Sequence, residues 1–85
     1  MVVVILPSLL AAEAGGRAHF EIEATTVAEA LRALPVADRI FDERGRLRNL
    51  VNVYVDGVDA RVRENAEVPL EGAKEIRLVA AIAGG

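Results

Sequence analysis

Glu75-Ile76-Arg77-Leu78-Val79-Ala80-Ala81-Ile82-Ala83-Gly84-Gly85 closes the sequence. Its alternation predicts a strand over residues 75–83, with Ile76, Leu78, Ala80 and Ile82 on one face. Glu75, Arg77, Val79, Ala81 and Ala83 occupy the other. The two glycines that follow lack Cβ and would form a thin, flexible stalk, able to thread a narrow channel and present the Gly85 carboxylate to another protein. Taken alone, the ending also fits a frayed terminus, because chain ends are usually poorly ordered. The residues upstream have to separate the two readings.

Working outward from that strand, Glu71-Gly72 is a turn signal, and 65–72 reads as a connection with Val68 and Leu70 as plugs. Val51, Val53 and Val55 fill one face of a strand over 50–55, while Asn52 and Tyr54 lie on the other. Asp56-Gly57 ends it in a hairpin-type turn, and a short strand is expected around 60–62. Thr26-Val27-Ala28-Glu29 matches a capping box, with a hydroxyl cap and a glutamate three residues on. Behind it Val27, Ala30, Leu31 and Leu34 share one helix face, and Pro35 stops the helix near Ala33 or Leu34. A short helical segment is possible over 37–42, anchored by Ile40 and Phe41.

Toward the start, Val2-Val3-Val4-Ile5-Leu6 has the pattern of a strand buried on both faces. Residues 9–14 form a helical turn or a loop, Gly15-Gly16 turns the chain, and 19–23 alternates as a half-buried strand. Strand, turn and strand predict an N-terminal hairpin with a long connection. The order β-β-α-β-β-β, with a single long helix, points to an α+β fold with one sheet covered on one side by that helix.

Composition bounds what such a domain can do. Eighty-five residues make one small domain, 1–85, and 53% hydrophobic content excludes a disordered chain. A net charge of −3, with nine arginines and one lysine, argues against a nucleic-acid partner, whose footprint would be basic. Arg44, Arg46 and Arg48 alternate with or adjoin Asp42 and Glu43, and read as a solvated turn. The absence of cysteine excludes disulfides and thiolate chemistry on the chain's own side chains. The apolar start lacks a basic flank and is interrupted by Pro7 and Gly15-Gly16 too early for a membrane span, so a soluble, cytoplasmic protein with no membrane partner is expected.

An enzyme needs a base, a nucleophile or metal ligands gathered in a cleft. His19 is the only histidine, placed at a strand start where surface decoration is the ordinary role. The carboxylates lie in turns without the spacing of a paired acid and base. Asp56-Gly57-Val58-Asp59 lacks the ligand spacing of a calcium loop. Gly15-Gly16 leads into a strand and not into a helix N-terminus, so it cannot act as a phosphate cradle. No catalytic residue and no metal site are expected. Val79 and Ala81, apolar and outward just before the tail, fit either a partner-docking face or covered core.

Three stretches then carry a family resemblance. Asn49-Leu50-Val51-Asn52-Val53-Tyr54-Val55-Asp56-Gly57, with Asp59-Ala60-Arg61, resembles the middle strand of MoaD- and CysO-type proteins. Leu70-Glu71-Gly72-Ala73-Lys74-Glu75-Ile76 resembles the acidic glycine turn before their last strand, and Ala81-Ile82-Ala83-Gly84-Gly85 their hydrophobic-Ala-Gly-Gly ending. The sequence is similar to the ubiquitin-like β-grasp sulfur carriers of the MoaD/ThiS/CysO group, nearer MoaD or CysO in length. It departs from them at Glu71 and Lys74, which replace an acidic pair, and at Ala80-Ala81, where prolines are common.

The resemblance implies a β-grasp domain with a mixed sheet, one main helix on one face and a flexible tail over 83–85. It implies that an E1-like adenylyltransferase/sulfurtransferase uses ATP and Mg²⁺ to adenylate the Gly85 carboxylate, and that sulfur then replaces AMP to leave a thiocarboxylate. A sulfur-accepting synthase would take that sulfur, toward molybdopterin, cysteine or another metabolite. In this scheme the chain is a protein cosubstrate and binds no cofactor itself. Gly85 carries the sulfur, Ala83 and Gly84 form the tail, and Val79 and Ala81 dock. A ubiquitin-like modifier joined to lysines through Gly85 and a plain β-grasp interaction module are the alternatives.

Overall fold

The computed structural model describes residues 1–49, 51–62 and 65–81. Five strands and three helices follow in the order β1 (Val2–Ile5), α1 (Ser8–Glu13), β2 (His19–Ile22), α2 (Val27–Arg32), α3 (Ala37–Ile40), β3 (Val51–Val55), β4 (Val58–Asp59) and β5 (Glu75–Ala80). The strands form one mixed sheet in the order β2-β1-β5-β3-β4. β1 pairs antiparallel with β2 and parallel with β5, and β3 pairs antiparallel with both β4 and β5. The strand nearest the end of the sequence is therefore the centre of the sheet. This is the β-grasp arrangement.

The core lies between the helices and one face of that sheet. Val2 and Val4 of β1, Val51 and Val53 of β3, and Ile76 and Leu78 of β5 are buried against Leu10, Val27, Ala30, Leu31 and Ile40. The alternation that marked these strands in the sequence is the pleat itself, in which every second side chain turns inward. Removal of such side chains from water supplies about 1.5–3 kcal/mol each. β1 departs from expectation. Only Val2 and Val4 are fully buried, whereas Val3 and Ile5 are half-covered, because the helices cover one face of the sheet only.

The helix cap forms as the sequence requires, with one shift. Thr26 Oγ1 accepts the Glu29 N–H at 3.2 Å. The Glu29 carboxylate reaches back to the Thr25 N–H at 2.6 Å, one residue before the cap. The single long helix is not observed. α2 ends at Arg32 and the chain turns through Pro35 into the four-residue α3, since proline disfavours helical backbone in the residue before it. α1 takes the place of the loop or helical turn expected after Pro7. Ile40 and Phe41 are buried anchors as expected, as is Leu70, and Val68 is half-buried.

The other correction concerns β4, which lies at Val58–Asp59 and not around residues 60–62. Asp56 and Gly57 both take positive φ, 49° and 86°, the type I′ geometry that closes a hairpin with two residues. Val58 is thereby set directly opposite Val55. The Asp56 carboxylate then accepts the N–H groups of Lys74 at 3.1 Å and Glu75 at 2.9 Å. One turn residue thus fixes where β5 begins. Among the described residues, no helix is long and apolar enough to cross a membrane.

Candidate functional site

β5 is held on both sides over its first half and by β3 alone from there to Ala80. Val3, Val4 and Ile5 of β1 pair with Glu75, Ile76 and Arg77. On the other side the β3 register runs from Val55 opposite Ile76 to Val51 opposite Ala80. Ala81 leaves this ladder, and Ile82, Ala83, Gly84 and Gly85 lie outside the described residues. The tail expected over 83–85 and Gly85, expected to carry the sulfur, therefore lie outside the described residues.

The two expected docking residues are at the exit. Val79 is 41% exposed, an unusual degree for a valine on a central strand, and Ala81 is half-buried. Directly opposed residues share a face of the sheet, so Val79 stands beside Asn52 on the face away from the helices. One register further from the exit, a row runs across the same face through His19, Ile5, Arg77, Tyr54 and Asp59. Ile5 and Tyr54 are half-buried and Arg77 is exposed. The Arg77 Nε donates to Glu75 Oε2 at 3.3 Å along the strand. An exposed surface ion pair of this kind contributes little stability, so the Arg77 side chain is available to a partner at small cost.

Leu9, on α1, is 74% exposed and was not singled out by the sequence. β1 and β5 are parallel, so the chain that follows β1 into α1 leaves the sheet at the same end as Ala81. A parallel pairing between strands more than seventy residues apart leaves no local signal. The run Leu9-Leu10-Ala11 is also too short for a helical period to show which member points outward.

Other candidate chemistry resolves into local structure. Asp42 Oδ1 accepts the N–H groups of Arg44 and Arg46, each at 2.9 Å, and closes the small hairpin in which Phe41 pairs with Leu47. These bonds, that from Arg46 foremost, hold the Asp42 carboxyl below its ordinary range, with the Arg48 and Arg46 charges adding to the effect and partial desolvation opposing it. Arg48 Nε donates to the Phe41 carbonyl at 3.2 Å, and the Arg32 guanidinium lies 5.3 Å from the centre of the Phe41 ring. A shallow open concavity of about 320 Å³ between α3 and this hairpin is lined by Arg32, Phe41, Asp42 and Arg48. Asp42 and Arg48 are already engaged by the turn, and Arg32 also pairs with Glu67 at 3.4 Å. His19 is exposed on edge strand β2, where Arg17 Nε caps its carbonyl at 3.1 Å. Among the described residues no three His, Cys, Asp or Glu side chains gather as metal ligands would.

Comparison with known proteins agrees with this geometry. A sequence model of the ThiS family matches residues 4–85. Among solved structures, the chain is similar to one in the Amycolatopsis orientalis BexX/CysO complex, with 28% identity, full coverage of both chains and a TM-score of 0.79. Mycobacterium tuberculosis CysO shares the fold at 21% identity, with 96% of this chain and all of that one covered and a TM-score of 0.81. SAMP1 from Haloferax volcanii is 25% identical over 99% of this chain and 98% of its own, with a TM-score of 0.70. No curated protein sequence matches. A β-grasp sheet with β5 at its centre, matched by the family over nearly its whole length, identifies the chain as a member of the ThiS family.

Proposed function

We propose that the chain is a sulfur carrier whose working group is the Gly85 carboxylate, acting as a protein cosubstrate and not as an enzyme. The observation that carries this reading is the position of β5. The central strand, paired with β1 over Glu75–Arg77 and with β3 as far as Ala80, is followed in the sequence by Ala81-Ile82-Ala83-Gly84-Gly85. A rigid base and a tail without bulk at its tip suit delivery into a closed active site. No cluster of reactive side chains among the described residues competes with the tail for the role.

A carboxylate is a poor acyl donor because oxide is a poor leaving group. An E1-like partner would join Gly85 to the α-phosphate of ATP, releasing pyrophosphate and making AMP the leaving group. The nucleotide and its Mg²⁺ belong to the partner's site. Hydrosulfide attack on the acyl carbon would expel AMP and leave the Gly85 thiocarboxylate. With a persulfide as donor, the acyl persulfide formed first needs a second thiol to cleave its S–S bond. A sulfur-accepting synthase would then take the sulfur, and the chain contributes recognition and positioning, as carrier groups do. Val79 and Ala81 form the docking face, Ala83 and Gly84 the slim neck. A cytoplasmic setting supplies the ATP.

ATP–pyrophosphate exchange by an E1-like partner tests the reading. The chain ending at Gly85 should support exchange, and the same chain with one residue added after Gly85 should not. Undiminished exchange with the extended chain would place the reacting carboxyl elsewhere. Similarity to a small archaeal modifier protein supports a second use of the same terminus, conjugation to lysines of target proteins. Gly-Gly remnants of this chain on cellular lysines would be its signature.

A further inference from the structure

We propose that the fold keeps the chain's own lysine out of reach of its activated C-terminus, so that Gly85 can acylate Lys74 only of a second copy. The inference rests on Gly85 being the reacting terminus. An acyl-adenylate or thioester is attacked by a free amine. The nitrogen bonds to the Gly85 carbonyl carbon, the leaving group departs with the bonding pair, and the amine loses a proton. A carrier armed in this way is at risk from every lysine within range of its tail.

The chain has nine arginines and a single lysine, Lys74. Guanidinium stays protonated and is no nucleophile near neutral pH. Arg77, the cationic residue of β5 nearest the exit, is therefore harmless to an activated tail. Lys74 is exposed at the opposite end of the strand. Its position there is fixed by its own backbone. The N–H donates to the Asp56 carboxylate, 3.1 Å from Oδ1, and the carbonyl accepts the Val3 N–H at 2.9 Å. Lys74 thus sits where β5 begins, and the sequence that carries Gly85 follows where β5 ends.

The distances decide the outcome. Seven steps from Lys74 to Ala81, at about 3.3 Å each, span roughly 23 Å. Four further residues reach at most about 14 Å when fully extended. To aim back along β5 the tail must also reverse direction, which takes at least about two residues. What remains, even with the lysine side chain added, falls well short of closure. Capture within one molecule is closed, and capture between molecules is open and has one lysine to use.

A direct test uses the full chain bearing an alkyl thioester at Gly85, prepared without any activating enzyme. It is readable whether or not the sulfur-carrier reading stands, and failure of adenylation by a partner would not touch it. Intact mass would be followed at two protein concentrations a factor of ten apart, with tandem mass spectrometry of any cross-linked peptide. The expected monomer is thioester or free acid, never the free acid less one water with a Gly85–Lys74 linkage. Dimers should form at an initial rate per molecule that falls about tenfold on tenfold dilution, the mark of an intermolecular step. Their lysine linkage should be Gly85 to Lys74, and Lys74→Arg should abolish it. Val79→Lys, which sets an amine beside the exit, should yield the cyclised monomer at a concentration-independent rate. Cyclisation of the unaltered chain through Lys74 at a concentration-independent rate would overturn the proposal. So would a Val79→Lys chain that cyclises no faster than the original.

Discussion

Asp56 shows how much a single turn residue can organise. Its backbone takes the positive φ of a two-residue hairpin, and its carboxylate accepts the Lys74 and Glu75 N–H groups that open β5. Asp56→Ala removes both effects and should cost about 1–2 kcal/mol by urea denaturation, from the loss of charge-assisted hydrogen bonds at an exposed site. Asp56→Asn, which tolerates the turn and keeps an acceptor, should cost less. Asp42 gives a pH dependence. Its folded carboxyl titrates below its ordinary value of 3.8, so the stability it contributes is present above that pH and is lost as pH falls through the folded value. Asp42→Asn keeps an acceptor for Arg44 and Arg46 but not the charge, so it should lower stability slightly at pH 7 and flatten its decline below about pH 4. The Asp-Gly turn is legible in the sequence because its chemistry is local. The reach of its carboxylate to residues 18 and 19 positions away is not, because nothing local encodes it.

At the scale of the element, β5 has a buried and an exposed face along one strand. Leu78 points into the core and is 2% exposed, while Val79 next to it points to solvent. Leu78→Ala should destabilise by about 2–5 kcal/mol through lost burial and the cavity left behind. Val79→Ser should move stability by no more than about 0.5 kcal/mol. If Val79 docks, the same change should lower kcat/KM for adenylation by a partner roughly fivefold, about 1 kcal/mol. Equal loss of stability in both variants would remove the distinction between the faces. The alternation of β5 and β3 and the Thr26 cap are visible in sequence because each repeats within a few residues. Pro35 marks the end of α2 in the sequence, and the helix stops at its C-cap Ala33, although the apolar spacing continues to Leu34. β4 was misplaced because its position depends on how tightly Asp56-Gly57 turns. Leu9 escaped notice because only the parallel β1–β5 pairing brings it to the exit end.

The whole molecule has two ends with different chemistry. Lys74 lies at the start of the central strand, while Val79 and Ala81 lie at its finish, where the sequence of the tail follows. A small, modestly stable domain suffices for that separation, since the sheet has only to hold one strand in place. The central claim is that Gly85 carries sulfur, and the most direct measurement is the intact mass of the chain after incubation with an E1-like partner, ATP and a sulfur donor. The expected result is a gain equal to the replacement of one oxygen by sulfur, localised to Gly85 by fragmentation and absent without ATP. An unchanged mass, with a partner proven active on its own carrier, would contradict the account.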